Sequence, residues 1–262
     1  MTLTDSAPLP PRRSYDLLLE NIEAGLRSGE IKLGDQLPGE RTLAETYGIS
    51  RASVREGIRI LDAMGVLRSS SGSGPKSGAI IVSEPSAGLS SALRLHMASS
   101  RLPVADIVQT RVLLETWAAE AAANAPRTDE TAAALGRAHG LLEAMDRPDL
   151  DRDAFHTLDA RFHVELSSLA GNAVIETMMD SLSGAIRGYV KEAMDNFEDW
   201  PAILAVLREQ HHGIYDAVAA GDGALAARLL RGHIEWFYAQ IPSHQAAQSS
   251  PTARSEKTQS PA

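Results

Sequence analysis

Residues 37–67 read LPGERTLAETYGISRASVREGIRILDAMGVL, and this stretch decides the fold of the amino-terminal part. Leu37-Pro38 leads into a short helix over about 40–47, closed by Gly48; Ser50 opens a second helix running to about Met64, closed by Gly65. Ala44 supplies a small residue where two helices cross closely, Gly48 suits a left-handed turn, and Ile49 plugs a core. Ser50 is a natural N-cap, its hydroxyl available to an orphan amide of the next helix. In that helix Val54, Ile58 and Leu61 share the inward face, while Arg51, Arg55 and Arg59 recur on another stripe and Arg41 opens the preceding helix. A cation near a helix N-terminus opposes the helix dipole, so Arg51 is not there for helix stability. Taken alone, the basic stripe is as readily a solvated face as a binding face.

Working outward, Ser14–Ser28 repeats apolar residues at Leu18, Ile22 and Leu26 and stops at Ser28-Gly29. On the other side, 69–88 is rich in Ser, Gly and Pro around a β-branched run, Ile80-Ile81-Val82. That pattern predicts a glycine-rich hairpin, then a linker with a boundary near residue 85. A short helix, a glycine turn, a capped arginine-bearing helix and a hairpin are the parts of a winged helix-turn-helix, whose second helix enters the major groove. Arginine suits a guanine edge or a phosphate, and Lys76 in the wing could reach the minor groove or backbone. The run 37–67 also resembles the signature of the GntR superfamily of bacterial transcription regulators. The resemblance implies that Arg41, Arg51 and Arg55 contact operator DNA, with Ser50 and Ser53 as phosphate or base-edge partners. Two residues depart from the family pattern. Gly39 stands where Ser or Ala is usual, losing a side-chain cap worth a few tenths of a kcal/mol. Gly57 replaces a usual Ala, at about 1 kcal/mol of helix propensity.

Beyond residue 85 the pattern is almost wholly helical, in segments near 88–99, 103–125, 129–146, 151–170, 173–195, 200–219 and 222–241, separated by turn-like pairs such as Gly171-Asn172 and Gly221-Asp222. The expected architecture is mostly α: a winged helix-turn-helix over 12–84, then an antiparallel all-α bundle of about seven helices over 85–242. Six of the eight histidines fall in pairs: His156/His163, His211/His212 and His233/His244. Asp159 and His163 lie four apart and so project from one helix face; His211 and His233 fall on the last two helices, where antiparallel packing could bring them level. An Asp and three His from three helices suit a divalent transition metal, although a lone Asp-x3-His is more often a surface pair. Trp117, Phe155, Phe162, Trp236 and Phe237 are expected in the core.

The runs DARFH (159–163), QHHGIYDAVAAGD (210–222), RLLRGHI (228–234) and RVLLE (111–115) are similar to the FCD ligand-binding domain of FadR-like GntR regulators. The resemblance implies a metal such as zinc, nickel or manganese held by Asp159, His163, His211 and His233, with His212 the rival of His211. It also implies a small organic-acid effector clamped by Arg111, with Arg187 and Asn172 as weaker candidates. On sequence alone, an ion pair with Glu115 is an equal account of Arg111. Gln210 stands where Glu commonly precedes the metal histidine, a change in what orients the ligand.

Composition sets the outer limits. With 262 residues and no cysteine, the chain has no disulfide and no thiolate metal site, which fits a reducing, cytoplasmic setting. Residues 1–11 carry an acidic residue and three prolines with no apolar run, unlike a signal peptide, and the longest apolar stretch, 104–125, is broken by charges. Residues 1–11 and 243–262 are expected to be disordered. The net charge of −9 argues against coating nucleic acid by bulk attraction. Residues 1–85, however, carry ten basic and eleven acidic side chains, whereas 86–242 carry thirteen and twenty-two, so the acidity belongs to the bundle. The expected function is a ligand-responsive regulator, most simply a repressor, that binds a palindromic operator as a homodimer and answers to a small carboxylate. A metal-dependent hydrolase built on the same Asp/His set is the other reading; no H-E-x-x-H is present and it leaves the DNA-reading head unexplained.

Overall fold

The computed structural model describes residues 15–70, 78–99, 101–195 and 197–241. Lys76, the tip of the wing and both predicted disordered ends lie outside the described residues. The chain divides into two compact units, Met1–Ser91 and Ala92–Ala262.

The first unit contains α1 (Asp16–Ser28), α2 (Glu40–Tyr47), α3 (Arg51–Ala63), β1 (Leu67–Ser70) and β2 (Gly78–Ile81). The predicted punctuation operates as expected. Gly29 and Gly48 close α1 and α2 with φ of 77° and 64°, and the Ser50 side chain accepts from Ser53 N at 3.0 Å to cap α3. Gly39 begins α2 without a side-chain cap. The strands are antiparallel with Leu67 opposite Ile81, and both of these side chains are buried with Leu18, Ile22, Leu43, Val54 and Leu61. The segment before α2 runs beside β2, with Leu37 N donating to Ala79 O at 2.8 Å and Ile81 N to Asp35 O at 2.9 Å.

Two glycines stand at close approaches. A Cβ on Gly57 would lie 2.8 Å from Leu18 Cδ2, the far end of a flexible side chain, so an alanine there asks the leucine of α1 to shift its terminal methyl. The propensity cost expected at Gly57 is therefore partly offset by packing. Gly65 combines φ of 72° with a Cβ position only 2.0 Å from the backbone oxygen of Glu84. Backbone cannot retreat as a flexible side chain can, so Gly65→Ala is expected to cost several kcal/mol, since strain and overpacking add. Urea unfolding of the variant should show the loss; a change below about 0.5 kcal/mol, the ordinary range for surface substitutions, would contradict this geometry.

The second unit is built from α5 (Val104–Asn124), α6 (Asp129–Met145), α7 (Arg152–Ser168), α8 (Ala173–Asp195), α9 (Trp200–Ala220) and α10 (Gly223–Ala239); α4 (Pro85–Ala98) spans the division between the units. Asp151, Asp199 and Asp222 cap α7, α9 and α10 by accepting from amides three residues on. Three arginines close helix C-termini from a distance: Arg127 donates to Val218 O, Arg152 to Met194 O and Arg208 to Met145 O. α5 and α10 form a major pairing, eased by small buried residues on α5: Ala118, Ala119, Ala122 and Ala123. Phe155, Phe162, Met179, Ile186, Leu207 and Ile214 fill the centre, and Trp236 and Phe237 pack against it. Trp117 departs from expectation. It is 46% exposed, as is Leu113 one turn earlier at 68%, because both stand on the α5 face opposite the alanines that meet the core. No helix among the described residues is long and apolar enough to cross a membrane.

Candidate metal centre and DNA-reading head

Asp159 and His163 project from the same face of α7, one turn apart, as their spacing requires. α9 brings His211 and α10 brings His233 to the same point, and one donor atom from each of the four residues lies within 4.8 Å of the others. His163, His211 and His233 are 2%, 0% and 5% exposed. His163 Nε2 and His233 Nε2 are 3.2 Å apart, and His211 Nε2 is 2.9 Å from Asp159 Oδ1. His211 Nε2 is nonetheless buried without an aligned hydrogen-bond partner. Donors on one tetrahedral ion with bonds near 2.0–2.1 Å sit roughly 3.3 Å apart, so these spacings and the orphaned nitrogen fit a shared cation. The donor set, three imidazoles and one carboxylate, is that of a divalent transition metal.

The supporting groups come from α5, α9 and α10. Glu115 is 1% exposed and bridges two partners: its Oε1 lies 2.7 Å from Arg111 Nε and its Oε2 lies 2.6 Å from His163 Nδ1. Arg111 also donates to the Tyr238 hydroxyl at 3.2 Å. His233 Nδ1 meets Gln210 Oε1 at 2.9 Å, and an N–H donated there leaves Nε2 with its lone pair toward the cluster. Thus Gln210 performs the orienting role with a neutral acceptor.

Electrostatics follow from burial and neighbours. Burial opposes ionisation of Asp159, yet the imidazoles of His211, His163 and His233 hold its carboxyl well below the usual range. Burial also opposes charge on Glu115, and Arg111 and His163 outweigh it, so its pKa is lowered. His163 moves upward because Glu115 overcomes burial, whereas burial depresses His211, and burial together with the neighbouring histidines depresses His233 further. Two carboxylates against one guanidinium leave a net negative interior when the imidazoles are neutral, which favours a cation there.

The adjoining cavity is about 30 Å³ and is lined by Arg111, His156, Asp159, His163, His233 and Tyr238 among others. His212 stays outside, 2.8 Å from Asp146 Oδ2 with its side chain 43% exposed, so His211 is the histidine brought to the cluster. Asn172 Oδ1 accepts from Val174 N and Ile175 N at the start of α8. Arg187 lines a different cavity, together with Arg161.

In the first unit, Arg41, Arg51 and Arg55 are exposed. Arg55 Nη1 and Arg51 Nη2 lie 3.3 and 3.8 Å from Glu40 Oε2, and Arg41 lies 3.3 Å from Glu45 Oε1. Ser50 and Ser53 share a 2.9 Å hydroxyl contact at the start of α3. Exposed pairs of this kind are weak and exchange readily for a phosphate or base edge.

Residues 14–76 match the family described as bacterial regulatory proteins, gntR family, and residues 106–235 match the FCD domain. The HTH-type transcriptional regulator LutR of Bacillus subtilis is 30% identical over 213 residues, covering 80% of this chain and 92% of LutR. This chain belongs to the GntR family and carries an FCD domain.

Other relatives of this GntR protein include the HTH-type transcriptional repressor NanR of Escherichia coli, 29% identical over 241 residues, and the Glc operon transcriptional activator of the same species, 25% identical over 221 residues. They cover 87% and 84% of this chain and 84% and 85% of their own length. A solved structure of a GntR protein from Streptococcus agalactiae shares the fold, with a TM-score of 0.55 at 22% identity over 85% of this chain and 96% of that one. The families and relatives matched are transcription regulators, and both a repressor and an activator stand among them. Tyr238 is the site residue that sequence reasoning missed; Gln210 was read there as a change in what orients the ligand and Glu115 as a partner for Arg111. The Arg111–Glu115 spacing signalled a pair, but nothing local to α5 signals that its carboxylate also meets α7.

Proposed function

We propose that this GntR protein is a cytoplasmic repressor, not an enzyme. In this reading it binds a palindromic operator as a homodimer and is released or modulated by a small carboxylic acid bound beside a metal. Residues 12–84 form the DNA-reading domain and 85–242 the sensing domain. Arg41, Ser50, Arg51, Ser53, Arg55 and Lys76 make the operator contacts, and Asp159, His163, His211 and His233 hold a zinc, nickel or manganese ion. The observation that carries the sensing half is the meeting of those four donors from three helices around an orphaned His211 nitrogen. When bound, the ion supplies fixed positive charge at the junction of α7, α9 and α10 and an attraction for a carboxylate. Arg111 lines the same cavity, which at about 30 Å³ admits a water or the acid group of a very small metabolite. Leu113 and Trp117, exposed one turn apart on α5, supply apolar surface of the kind a symmetric subunit contact buries.

A metal-dependent hydrolase needs a carboxylate or imidazole placed to accept a proton from water. Asp159 is the sole acid among the cavity-lining residues, but His156 lines the same cavity with a buried Nε2 that has no hydrogen-bond partner, so the need for a base does not separate the two readings. The regulator reading is favoured by the DNA-reading head and by the families matched.

The test is a gel shift with the DNA upstream of the chain's own gene, with and without EDTA and a panel of hydroxy-, sugar and dicarboxylic acids. A sequence-specific shift altered by one acid supports the reading; no specific shift together with metal-dependent turnover sinks it. Arg55→Ala is expected to cost about 1–3 kcal/mol of sequence discrimination per head, the worth of a bidentate base contact, with the melting temperature unchanged because the side chain is exposed. Unaltered specificity would remove Arg55 from the recognition surface.

A further inference from the structure

Most arginines of the bundle are already committed. Arg111 pairs with Glu115, Arg137 with Glu165, Arg147 with Asp149 and Arg231 with Glu235, while Arg127, Arg152 and Arg208 close helix C-termini. Arg161 on α7 and Arg187 on α8 differ. Both line a cavity of about 260 Å³ with Leu141, Thr157, Asp180 and Ser183, and neither makes a hydrogen bond or ion pair among the described residues. The Ser183 hydroxyl is buried without a hydrogen-bond partner, in a residue that is 7% exposed. Two uncommitted guanidiniums and an unsatisfied hydroxyl at one cavity are a recognition set for an anion: each guanidinium offers a planar fork that matches a carboxylate or phosphate, and a buried hydroxyl gains by acquiring an acceptor.

The acids at this cavity limit how much negative charge it takes. Glu165 also lines it, but Arg137 holds that carboxylate at 2.6 Å. Asp180 is exposed and opposes a highly charged polyanion, while offering an acceptor to a ligand hydroxyl. Size separates the two cavities: the one beside the metal cluster is about 30 Å³, whereas this one approaches the ~300 Å³ at which small-molecule pockets begin. α7 stands between them, with Asp159 and His163 directed to one cavity and Thr157 and Arg161 to the other.

We infer that the α6–α7–α8 cavity is a second ligand site that takes a compact dianion, either a phosphate group or a short dicarboxylate, through Arg161, Arg187 and Ser183. It is independent of the metal-centre reading.

The experiment is calorimetric titration of the full chain, purified with its metal, with inorganic phosphate and separately with succinate. Saturable binding of either is expected, and the arm that binds identifies the source of the charge. In Arg161→Gln/Arg187→Gln the affinity is expected to fall by at least about tenfold, since each lost charge-assisted bond is worth that much. Metal content and melting temperature should stay as in the wild type, because both side chains are exposed. His233→Ala that keeps the wild-type helical circular dichroism is expected to retain the binding, which separates this site from one at the metal. No saturable binding by about 10 mM of either anion, equal affinity in the double variant, or loss of binding in a folded His233→Ala overturns the inference.

Discussion

Glu115→Ala is expected to lower folding stability by about 3–5 kcal/mol, because it strands the buried Arg111 guanidinium without its carboxylate. That is a large share of the roughly 5–15 kcal/mol that ordinarily separates folded from unfolded states. It corresponds to a fall of roughly 10 °C in melting temperature for a chain of this size. The Tyr238 hydroxyl remains near Arg111 and offers only a neutral acceptor. The design of the control follows from the cause. In Arg111→Met/Glu115→Leu both charges leave together, no ion is stranded, and the loss should be much smaller than in Glu115→Ala. Chemical unfolding of the three proteins decides: a Glu115→Ala loss under about 1 kcal/mol, or a double variant no better than the single one, would mean that the pair is not a buried unit. The same variant removes the carboxylate that lies 2.6 Å from His163 Nδ1 and should weaken metal binding by about 10–100-fold, the usual cost of an orienting partner.

His233→Ala and His211→Ala are each expected to remove stoichiometric metal from the purified protein. A structural zinc site is worth about 10–16 kcal/mol, so one ligand of four carries on the order of 3 kcal/mol, or more than a hundredfold in affinity. Elemental analysis after dialysis reads this directly, and equal metal in wild type and both variants would reject the site. Proton competition gives a second check. Asp159 is held ionised by its imidazole neighbours, and His211 and His233 are kept neutral by burial. His163 is the ligand whose pKa is raised, so as pH falls it is the first to take the extra proton that closes its lone pair. Metal should therefore be retained on dialysis at about pH 8 and lost more readily as pH falls past the ordinary histidine pKa of about 6.5. Metal content that does not fall on prolonged acid dialysis would contradict an ion held by histidines.

Legibility in the sequence tracked how local each feature is. The helix-turn-helix was readable from one contiguous run, because caps, glycine turns and the inward stripe act within a few residues. The Asp159–His163 pair was readable for the same reason. His211 and His233 converge only through the packing of α9 and α10 with α7; their places on the last two helices allowed that convergence, and resemblance to a family strengthened the reading. Glu115 was visible as a partner for Arg111, while its second contact depends on how α5 crosses α7. Trp117 was misplaced because the alternation of alanines and large residues on α5 does not say which face meets α10; the small side chains won the interior. Arg187 was expected as a weaker effector partner; it lines the cavity it shares with Arg161, and its charge also reaches His156 beside the metal cluster.

Gly57 and Leu18 together make a statement about sequence drift. The end of that leucine, Cδ2, lies 2.8 Å from where a Cβ at position 57 would sit, so an alanine there displaces a flexible methyl, and its gain of about 1 kcal/mol in helix propensity is set against that repacking. The gain is fullest where position 18 carries a smaller or differently shaped residue, so the two positions are expected to vary together.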